Sequence, residues 1–326
     1  MRKSLLVLPL CVVLSSCIGQ FSWETSSELS IKAVTSVSTK GYVSGSSMED
    51  SGVARDIHIS AYNTTRRQPF FVDATFRKDG EYWKNFVDGV HKPIYWSENN
   101  RLDFMAYSAG SSCPTAAWNP TNPASTLILD VSPESLDDDI LYASARDCSY
   151  AVARDYAENG GNVRLNFKHS QALVDFEITS DDLSVAFLKG IILDGVHTSG
   201  RLKIVDNFGI PEASWDFGSS PKVQHTIFPE TVNAPIPGTS STPLKFSVLL
   251  PQQHRCSFKV LFILWKGSQT LEKSYTYSLD PDDIWYSGTH YTYKVNVTSR
   301  DYVLAASSAA RDGFEASTSL HEEEWN

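Results

Sequence analysis

The residues of this chain that could carry catalysis or bind a metal are its histidines and its clustered carboxylates. His169 lies in the middle of VRLNFKHSQALVDFEI (residues 163–178), which otherwise has the alternating apolar pattern of a β-strand. An imidazole acts as a general base or a metal ligand only when a suitable partner lies beside it. No second histidine, cysteine or nucleophile motif lies nearby in the sequence. We therefore predict a structural role for His169.

The strand pattern changes parity at this histidine. The apolar residues occupy odd positions before it and even positions after it: Val163, Leu165 and Phe167, then Ala172, Val174, Phe176 and Ile178. Because side chains alternate strictly between the two faces of a strand, one face cannot hold both sets without an extra residue. We predict a β-bulge or a tight bend at residues 169–171, within the first strand of a second domain.

Other candidate catalytic and metal motifs do not match their templates. GYVSG (41–45) has the wrong spacing for the nucleophile elbow of a hydrolase, and HEEEW (321–325) has Trp325 where a zinc protease needs its second histidine. The acidic clusters Asp137–Asp139 and Asp280–Asp283 lack the spacing of a calcium loop and are predicted to be solvated turn residues. The sequence predicts no catalytic residue, no metal site and no cofactor, and it favours a protein that is not an enzyme.

The composition is that of a large globular protein with an acidic surface. The chain has 326 residues, is 41% hydrophobic and carries a formal net charge of −10. Because phosphate binding relies on basic residues that displace counterions, nucleic acid is excluded as a partner. Cys113 and Cys148 could form a disulfide in an exported protein, and Cys256 is predicted to be a small buried hydrophobe.

The first residues predict export and lipid anchoring. MRKSLLVLPLCVVLSSC has a basic start, an apolar run too short to span a bilayer, and the ending Leu-Ser-Ser-Cys. This ending resembles the bacterial lipobox, in which the cysteine becomes the acylated N-terminus after cleavage. We assign residues 1–16 to a lipoprotein signal peptide, Cys17 to lipidation and residues 17–27 to a linker. The predicted location is the outer membrane, through the lipid anchor.

The rest of the chain is predicted to be all-β. Short alternating or wholly apolar runs are separated by Gly, Pro, Asn, Asp and Ser, which is typical of a sandwich or barrel. A turn-rich break near residue 160 divides them into an N-terminal domain at 28–160 and a C-terminal domain at 161–300, with a tail at 301–326. SFKVLFILW (257–265) is apolar on both faces and is predicted to be a central strand covered on both sides.

Several motifs, in this order, resemble the fimbrillin family, the surface lipoproteins from which Bacteroidetes-type bacteria build pili. The stretches similar to successive elements of that family are IYWSENNRLDFMAYS, DDILYAS, VRLNFKHSQALVDFEI and IWYSGTHYTYKVNV. The resemblance implies two tandem transthyretin-like (Greek-key) β-sandwich domains. It also implies a fimbrial subunit at the cell surface that supports adhesion to a host or bacterial surface ligand.

The resemblance further implies that the partners are other pilin subunits, joined by donor-strand exchange. In such pilins a protease cuts after an early strand, and a C-terminal strand of the next subunit fills the groove that the early strand leaves. Here the displaced strand would be ELSIKAVTSV, with Leu29, Ile31 and Ala33 on one face. The candidate donor residues are Tyr302, Val303, Leu304, Phe314 and Leu320.

The expected cleavage sequence of the family is altered in this chain. An arginine in a Thr-Arg-Ala type sequence is replaced by Thr39-Lys40-Gly41, and the first arginine after the signal peptide is Arg55. The sequence therefore leaves open whether the chain is cut at Lys40, at Arg55 or at neither residue. It also leaves open whether the protein is a stalk, tip or anchor subunit.

An alternative interpretation is a surface glycan-binding lipoprotein of a polysaccharide-uptake system. The aromatic-rich stretch at residues 70–89 and the segment AAWNPTNP contain the side chains for a sugar-stacking surface: Tyr82, Trp83 and Trp118. The same tryptophans could instead close the end of a sandwich core, with their N–H groups bonded at its rim.

Overall fold

The structure is a computed structural model. It describes residues 27–35, 56–96, 100–109, 115–119, 126–132, 139–151, 162–229, 231–266, 268–299 and, for the backbone, 302–308. All of its named elements are β-strands, which confirms the predicted all-β class. In the described part of the chain, no helix combines the length and the hydropathy needed to cross a bilayer.

The strands are numbered in chain order. Those before residue 170 are β1 (Ile31–Thr35), β2 (Ile57–Asn63), β3 (Gln68–Asp79), β4 (Tyr82–Val87), β5 (Val90–His91), β6 (Leu102–Ser108), β7 (Thr115–Asn119), β8 (Thr126–Val131), β9 (Leu141–Cys148) and β10 (Val163–His169). Those after it are β11 (Gln171–Thr179), β12 (Val185–Val196), β13 (Gly200–Asn207), β14 (Ile210–Asp216), β15 (Val223–Phe228), β16 (Ala234–Pro235), β17 (Leu244–Pro251), β18 (Gln253–His254), β19 (Ser257–Lys266), β20 (Gln269–Tyr277), β21 (Ile284–Trp285), β22 (His290–Val297) and β23 (Tyr302–Ser308).

The first sheet closes on itself like a small barrel. Its strands follow the order β1-β10-β9-β6-β2-β3-β4, with β5 beside β4, and β4 pairs back with β1 at Ile31 and Trp83. Side chains that alternate inward along each strand fill the interior, as along β10, where Val163, Leu165 and Phe167 are buried between exposed neighbours. A sheet closed in this way leaves few unpaired backbone edges.

The second large unit is a β-sandwich. One sheet has the order β17-β11-β22-β23, and the other has the order β15-β12-β19-β20 with β16 beside β12. Their facing residues form one core, in which Phe176 packs edge-on against Phe258 and stacked against Tyr293. This arrangement of two packed antiparallel or mixed sheets is a standard way to bury alternating strands.

A third sheet connects the two units. Its order is β14-β13-β8-β7, so it combines strands from both halves of the sequence. It packs on the outside of the barrel, where Met105, Tyr107 and Tyr142 meet Leu129 and Leu202 in a separate apolar cluster. The buried carboxylate of Asp206 strengthens this contact because it pairs with Arg146 and accepts a 2.9 Å hydrogen bond from the Ser144 hydroxyl.

The chain passes from the barrel to the sandwich at Ser170. Strand β10 pairs with β1 and β9 in the barrel, whereas β11 pairs with β17 and β22 in the sandwich. The tight bend predicted at residues 169–171 is therefore confirmed, and the change of parity reflects a change of sheet. Strand β10, which was expected to open the second domain, lies in the same sheet as β1 and β9. The expected boundary near residue 160 precedes the change of sheet, and the division of the chain into domains stays a prediction.

Several local expectations are corrected by the sheet arrangement. Strand β19 is central in its sheet, but only one of its faces is fully buried, since Trp265 on the other face is 56% exposed. The aromatic-rich stretch at residues 70–89 forms most of the hairpin β3–β4, so Tyr82 and Trp83 lie on a strand. Strands β7 and β14 were not expected from the sequence; they are short, and each pairs with its neighbour along the chain, β7 with β8 and β14 with β13.

The bend at Ser170 offers a test of how the third sheet is attached. The Trp215 indole N–H donates a 2.8 Å hydrogen bond to the Ser170 carbonyl, which also accepts a 2.6 Å bond from the Ser287 hydroxyl. We expect Trp215→Phe to lower the free energy of unfolding by about 1 kcal/mol, because one hydrogen bond is lost while the carbonyl keeps its second donor. Urea unfolding followed by circular dichroism measures this, with the exposed Trp265→Phe as the matched control. An effect no larger than that of the control would contradict the assigned bond.

Candidate functional site

The first strand, β1, occupies a place in the barrel between two strands that are distant in sequence. Ile31–Thr35 runs parallel to Val163–Phe167 of β10 over its whole length. On its other side it meets β4 only where Ile31 lies opposite Trp83. Strand β1 therefore completes the barrel, and its ladder depends mainly on β10.

The side chains of β1 alternate between the core and the outside. Leu29 and Ile31 are 0% exposed and Ala33 is 3% exposed, whereas Lys32 and Val34 on the opposite face are only partly buried. The prediction that Leu29, Ile31 and Ala33 share one face is confirmed. Full burial of an aliphatic side chain of this size contributes about 1.5–3 kcal/mol, so the two larger residues account for most of the apolar contribution of the strand.

The residues just before β1 are held in place by contacts with residues 91–96. The Leu29 N–H donates to the Ile94 carbonyl at 2.7 Å, and the Trp96 N–H donates to the Ser27 carbonyl at 3.0 Å. The Glu28 carboxylate lies 2.5 Å from Nε2 of His91. All of these contacts are with residues 91–96, whereas the C-terminal part of the segment has only β10 as a neighbour in the ladder.

The chain between β1 and β2 contains both predicted processing positions. Lys40 and Arg55 lie outside the described residues, in the interval between Thr35 and Ile57. A cut anywhere in this interval would leave β1 held to the barrel by non-covalent contacts alone. Loss of β1 would then uncover the edge of β10 and the apolar side chains of Trp83, Leu165 and Phe167.

The C-terminal candidate strand lies at the edge of the sandwich. Tyr302–Ser308 pairs antiparallel with Tyr291–Val297, and β23 has no second neighbour within the described strands. The candidate donor residues Tyr302, Val303 and Leu304 therefore belong to a strand, as expected. Phe314 and Leu320 lie outside the described residues, as does Cys17 at the other end of the chain.

His169 is an architectural residue at the point where the chain leaves the barrel. Its Nδ1 lies 2.6 Å from Oδ2 of Asp139, and both side chains are almost completely buried. The expectation that Asp139 is a solvated turn acid was wrong, because the fold brings it under the bend at Ser170. Asp137 and Asp138 lie outside the described residues. In the second cluster, the Asp282 N–H donates to Oδ1 of Asp280, as in an exposed turn.

A buried acid in the sandwich was also not anticipated. Asp175 on β11 is 1% exposed and accepts hydrogen bonds from Nε2 of His290 at 2.8 Å and from the Ser247 hydroxyl at 2.6 Å. The Lys245 ammonium lies 2.5 Å from the same carboxylate. Burial raises the pKa of Asp175, but the bonds from His290, Lys245 and Ser247 outweigh it and leave the pKa below its ordinary value of 3.8. The group is therefore a carboxylate near neutral pH.

Comparison with protein families identifies the family of this chain. A family model described as fimbrillin-like matches residues 46–310, which is well over half of the chain. The chain belongs to the fimbrillin-like family. No curated protein matches it.

Solved structures share the fold of this fimbrillin-like chain at low sequence identity. A candidate cell adhesion protein from Bacteroides ovatus is 14% identical with a TM-score of 0.53, and the match covers 90% of this chain and 99% of that one. A candidate cell adhesion protein from Bacteroides uniformis is 13% identical with a TM-score of 0.54, over 86% and 98% of the two chains. A fimbrial protein from Bacteroides vulgatus is 12% identical with a TM-score of 0.50, over 86% and 98%.

The three aromatic residues suggested as a sugar-stacking surface do not form one surface in this fimbrillin-like protein. Trp83 is 1% exposed and packs in the barrel core, so it cannot stack on a ligand. Tyr82 precedes it on β4 and points to the opposite face, since neighbouring side chains alternate. Trp118 lies on β7, where it packs against the cluster beneath the third sheet.

The described residues contain no group of three or more His, Cys, Asp or Glu side chains placed to hold a metal ion. Cys256 packs against the sandwich core, as predicted, and burial raises the pKa of its thiol to about 11. Burial also raises the pKa of the Cys148 thiol, to about 12. A thiol with so high a pKa is a poor nucleophile at neutral pH. Cys113 lies outside the described residues.

Proposed function

We propose that this fimbrillin-like protein is a non-catalytic subunit of a surface fimbria and that it joins neighbouring subunits by strand exchange. Membership of the family supports the role of a pilus subunit. The observation that carries the mechanism is the position of β1 in the barrel. It is a short strand with an inward apolar face and a ladder mainly to β10, and both predicted processing positions lie between it and β2.

The exchange follows from the properties of an open sheet edge. Once β1 leaves, β10 presents unpaired N–H and C=O groups beside an apolar trench, and an extended strand from another subunit satisfies both. Strand β23 is suited to be that strand because it is extended, lies at a sheet edge and follows all other described strands. To donate, it must give up its pairing with β22.

In this proposal the barrel-like sheet and the sandwich are the two transthyretin-like units expected for the family. Cys17 carries the lipid that attaches the protein to the outer membrane before assembly, and a cut at Lys40 or Arg55 releases it. Without the cut, the subunit stays anchored.

The first experiment determines the N-terminal residue of protein purified from its native membrane. A free Gly41 or Asp56 supports processing and strand release, whereas a lipidated Cys17 assigns the protein to an anchoring role. A different N-terminus, with neither lipid nor a cut in residues 36–55, would contradict both parts of the proposal.

The role of the C-terminal strand is tested by two nested deletions. We expect the processed protein to form ladders that resist heat and detergent, and we expect deletion of residues 301–326 to abolish them, because the donor strand is lost. Deletion of residues 309–326 is the matched control, since it keeps β23 and removes the remainder of the tail. Ladders that survive the longer deletion would rule out a C-terminal donor. Their loss in both deletions would move the donor from β23 to the stretch with Phe314 and Leu320.

A further inference from the structure

A cavity lies in the sandwich near the ends of β12 and β17, away from the position of β1 in the barrel. Its volume is about 220 Å³, and its lining includes His197, Phe217, Lys222, Gln252 and His254. At roughly 30 Å³ per water molecule, this space corresponds to about seven waters. It therefore admits one small molecule, such as a single sugar unit, rather than a large ligand.

The wall of the cavity is held in place before any ligand arrives. The imidazole of His197 stacks on the ring of Phe217, with centroids 4.2 Å apart and planes within 6°. The buried side chain of Gln253 clamps the backbone of His197, since its Oε1 accepts from the His197 N–H at 2.7 Å and its Nε2 donates to the His197 carbonyl at 3.0 Å. The cavity thus has a rigid wall in which the flat His197 ring covers one face of Phe217, while Trp215 lies parallel to Phe217 with centroids 6.4 Å apart. Flat ring walls suit ligands with an apolar face.

Lys222 supplies a positive charge at this wall. Within the described residues, no carboxylate forms an ion pair with Lys222, although the protein as a whole carries a net charge of −10. Nearby acids have other partners: Asp194 accepts from the Gln224 amide at 3.3 Å, and Asp216 accepts from the Gly218 N–H at 2.9 Å. Burial, and then the charge of Lys222, lower the pKa of His197. The imidazole is therefore neutral at pH 7, and the ammonium is the charge that a ligand meets.

Two further side chains that line the cavity supply a hydrogen-bond donor and a hydrogen-bond acceptor. The Gln252 carbonyl oxygen accepts from the Ser287 N–H at 3.2 Å, which directs its amide nitrogen elsewhere as a donor. Nδ1 of His254 lies 2.9 Å from the Pro281 carbonyl, and because a carbonyl only accepts, Nδ1 carries the proton. In the neutral tautomer that this bond selects, Nε2 of His254 is an acceptor. A donor and an acceptor next to a cation match a molecule with both hydroxyl groups and a carboxylate.

We propose that this cavity binds an acidic monosaccharide unit, a hexuronic acid, whose carboxylate pairs with Lys222. Its hydroxyl groups would bond to Gln252 and His254, and the apolar face of its ring would lie against the ring of His197. Phosphate fits less well, because the lining contains one ammonium and neither an arginine fork nor a helix N-terminus. The binding does not depend on strand exchange.

The test measures binding of methyl galacturonide and methyl glucuronide by titration calorimetry of the full chain, with the neutral methyl glucoside as the comparison. We expect saturable binding of at least one uronide. The neutral glucoside, which lacks the carboxylate, should bind at least tenfold more weakly. Lys222→Met should weaken uronide binding at least tenfold, because it removes the charge and keeps most of the side-chain length. Lys203→Met is the matched control, since Lys203 is exposed on β13 and does not line the cavity.

The preference between the two uronides indicates the source of the ligand, since galacturonic acid and glucuronic acid occur in different polysaccharides. Failure of both uronides to bind, equal binding of the neutral glucoside, or an unchanged affinity in Lys222→Met would each overturn the proposal. Deletion of residues 301–326 should leave uronide binding intact even where it abolishes assembly, so that failure of one proposal is distinguishable from failure of the other.

Discussion

Replacing Ile31 by aspartate is expected to destabilise the barrel by about 4 kcal/mol or more. Ile31 is 0% exposed and lies opposite Trp83, so the change removes a buried aliphatic side chain worth about 1.5–3 kcal/mol. It also places a carboxylate in an apolar core without a partner, which adds a penalty of at least about 2 kcal/mol. Because β1 is held mainly by β10, we expect the strand to leave its seat before the rest of the protein unfolds.

The matched control for this prediction is Val34→Asp. It introduces the same side chain on the same strand, but on the outward face, and should cost less than about 1 kcal/mol. Urea unfolding followed by Trp fluorescence measures the loss of stability, and limited proteolysis measures release of the N-terminal segment. Equal effects of the two substitutions would show that Ile31 does not face the core. Global unfolding without prior release of β1 would weaken the proposal that this strand is exchangeable.

The second large effect is expected at the buried carboxylate of the sandwich. Asp175→Asn removes the negative charge that His290, Lys245 and Ser247 surround, and leaves the cationic Lys245 beside a neutral amide. Breaking a buried charge cluster by neutralising one partner typically costs about 3–5 kcal/mol. We expect a loss near the lower end of that range at pH 7, because Lys245 is 43% exposed and can turn to solvent.

Lowering the pH should reduce the difference in stability between the wild type and Asp175→Asn. The pKa of Asp175 is lowered from 3.8 by folding, so the unfolded chain binds the proton more readily. The carboxylate therefore stabilises the fold fully above about pH 4, and this contribution is lost as the pH falls through the lower folded pKa. Urea midpoints of wild type and Asp175→Asn should converge as the pH is lowered from 5 towards 3. Asp88→Asn, at an exposed turn, is the control and should track wild type throughout. A difference that stays constant across this range would contradict the linkage.

The candidate site could be predicted from the sequence only where the signal is local. The alternation of Leu29, Ile31 and Ala33 is a property of consecutive residues, and it correctly predicted which face of β1 is buried. The change of parity around Ser170 likewise predicted an irregularity at the right place. Neither pattern contains information about the partner strand, and so the parallel pairing of β1 with β10 was not foreseen.

The buried polar pairs and the cavity depend on contacts between distant parts of the chain. Asp139 and His169 are 30 residues apart, and Asp175 and His290 are 115 residues apart. In the sequence these acids look like solvated residues, because a strand pattern does not show whether another sheet covers its polar face. One signal was present for Asp175: its neighbour Leu173 shares that face and is also buried.

The sequence by itself determined the all-β class, most of the strands, the inward face of β1 and the resemblance to the fimbrillin family, since all of these follow from short-range periodicity and ordered motifs. The tertiary structure alone decided that the first sheet closes through Ile31 and Trp83, that β10 belongs to the barrel, and that Lys222, His197 and Phe217 line one cavity. The physical reason is that alternation specifies which side chains are buried, whereas strand order and register depend on loop closure and packing across the whole chain.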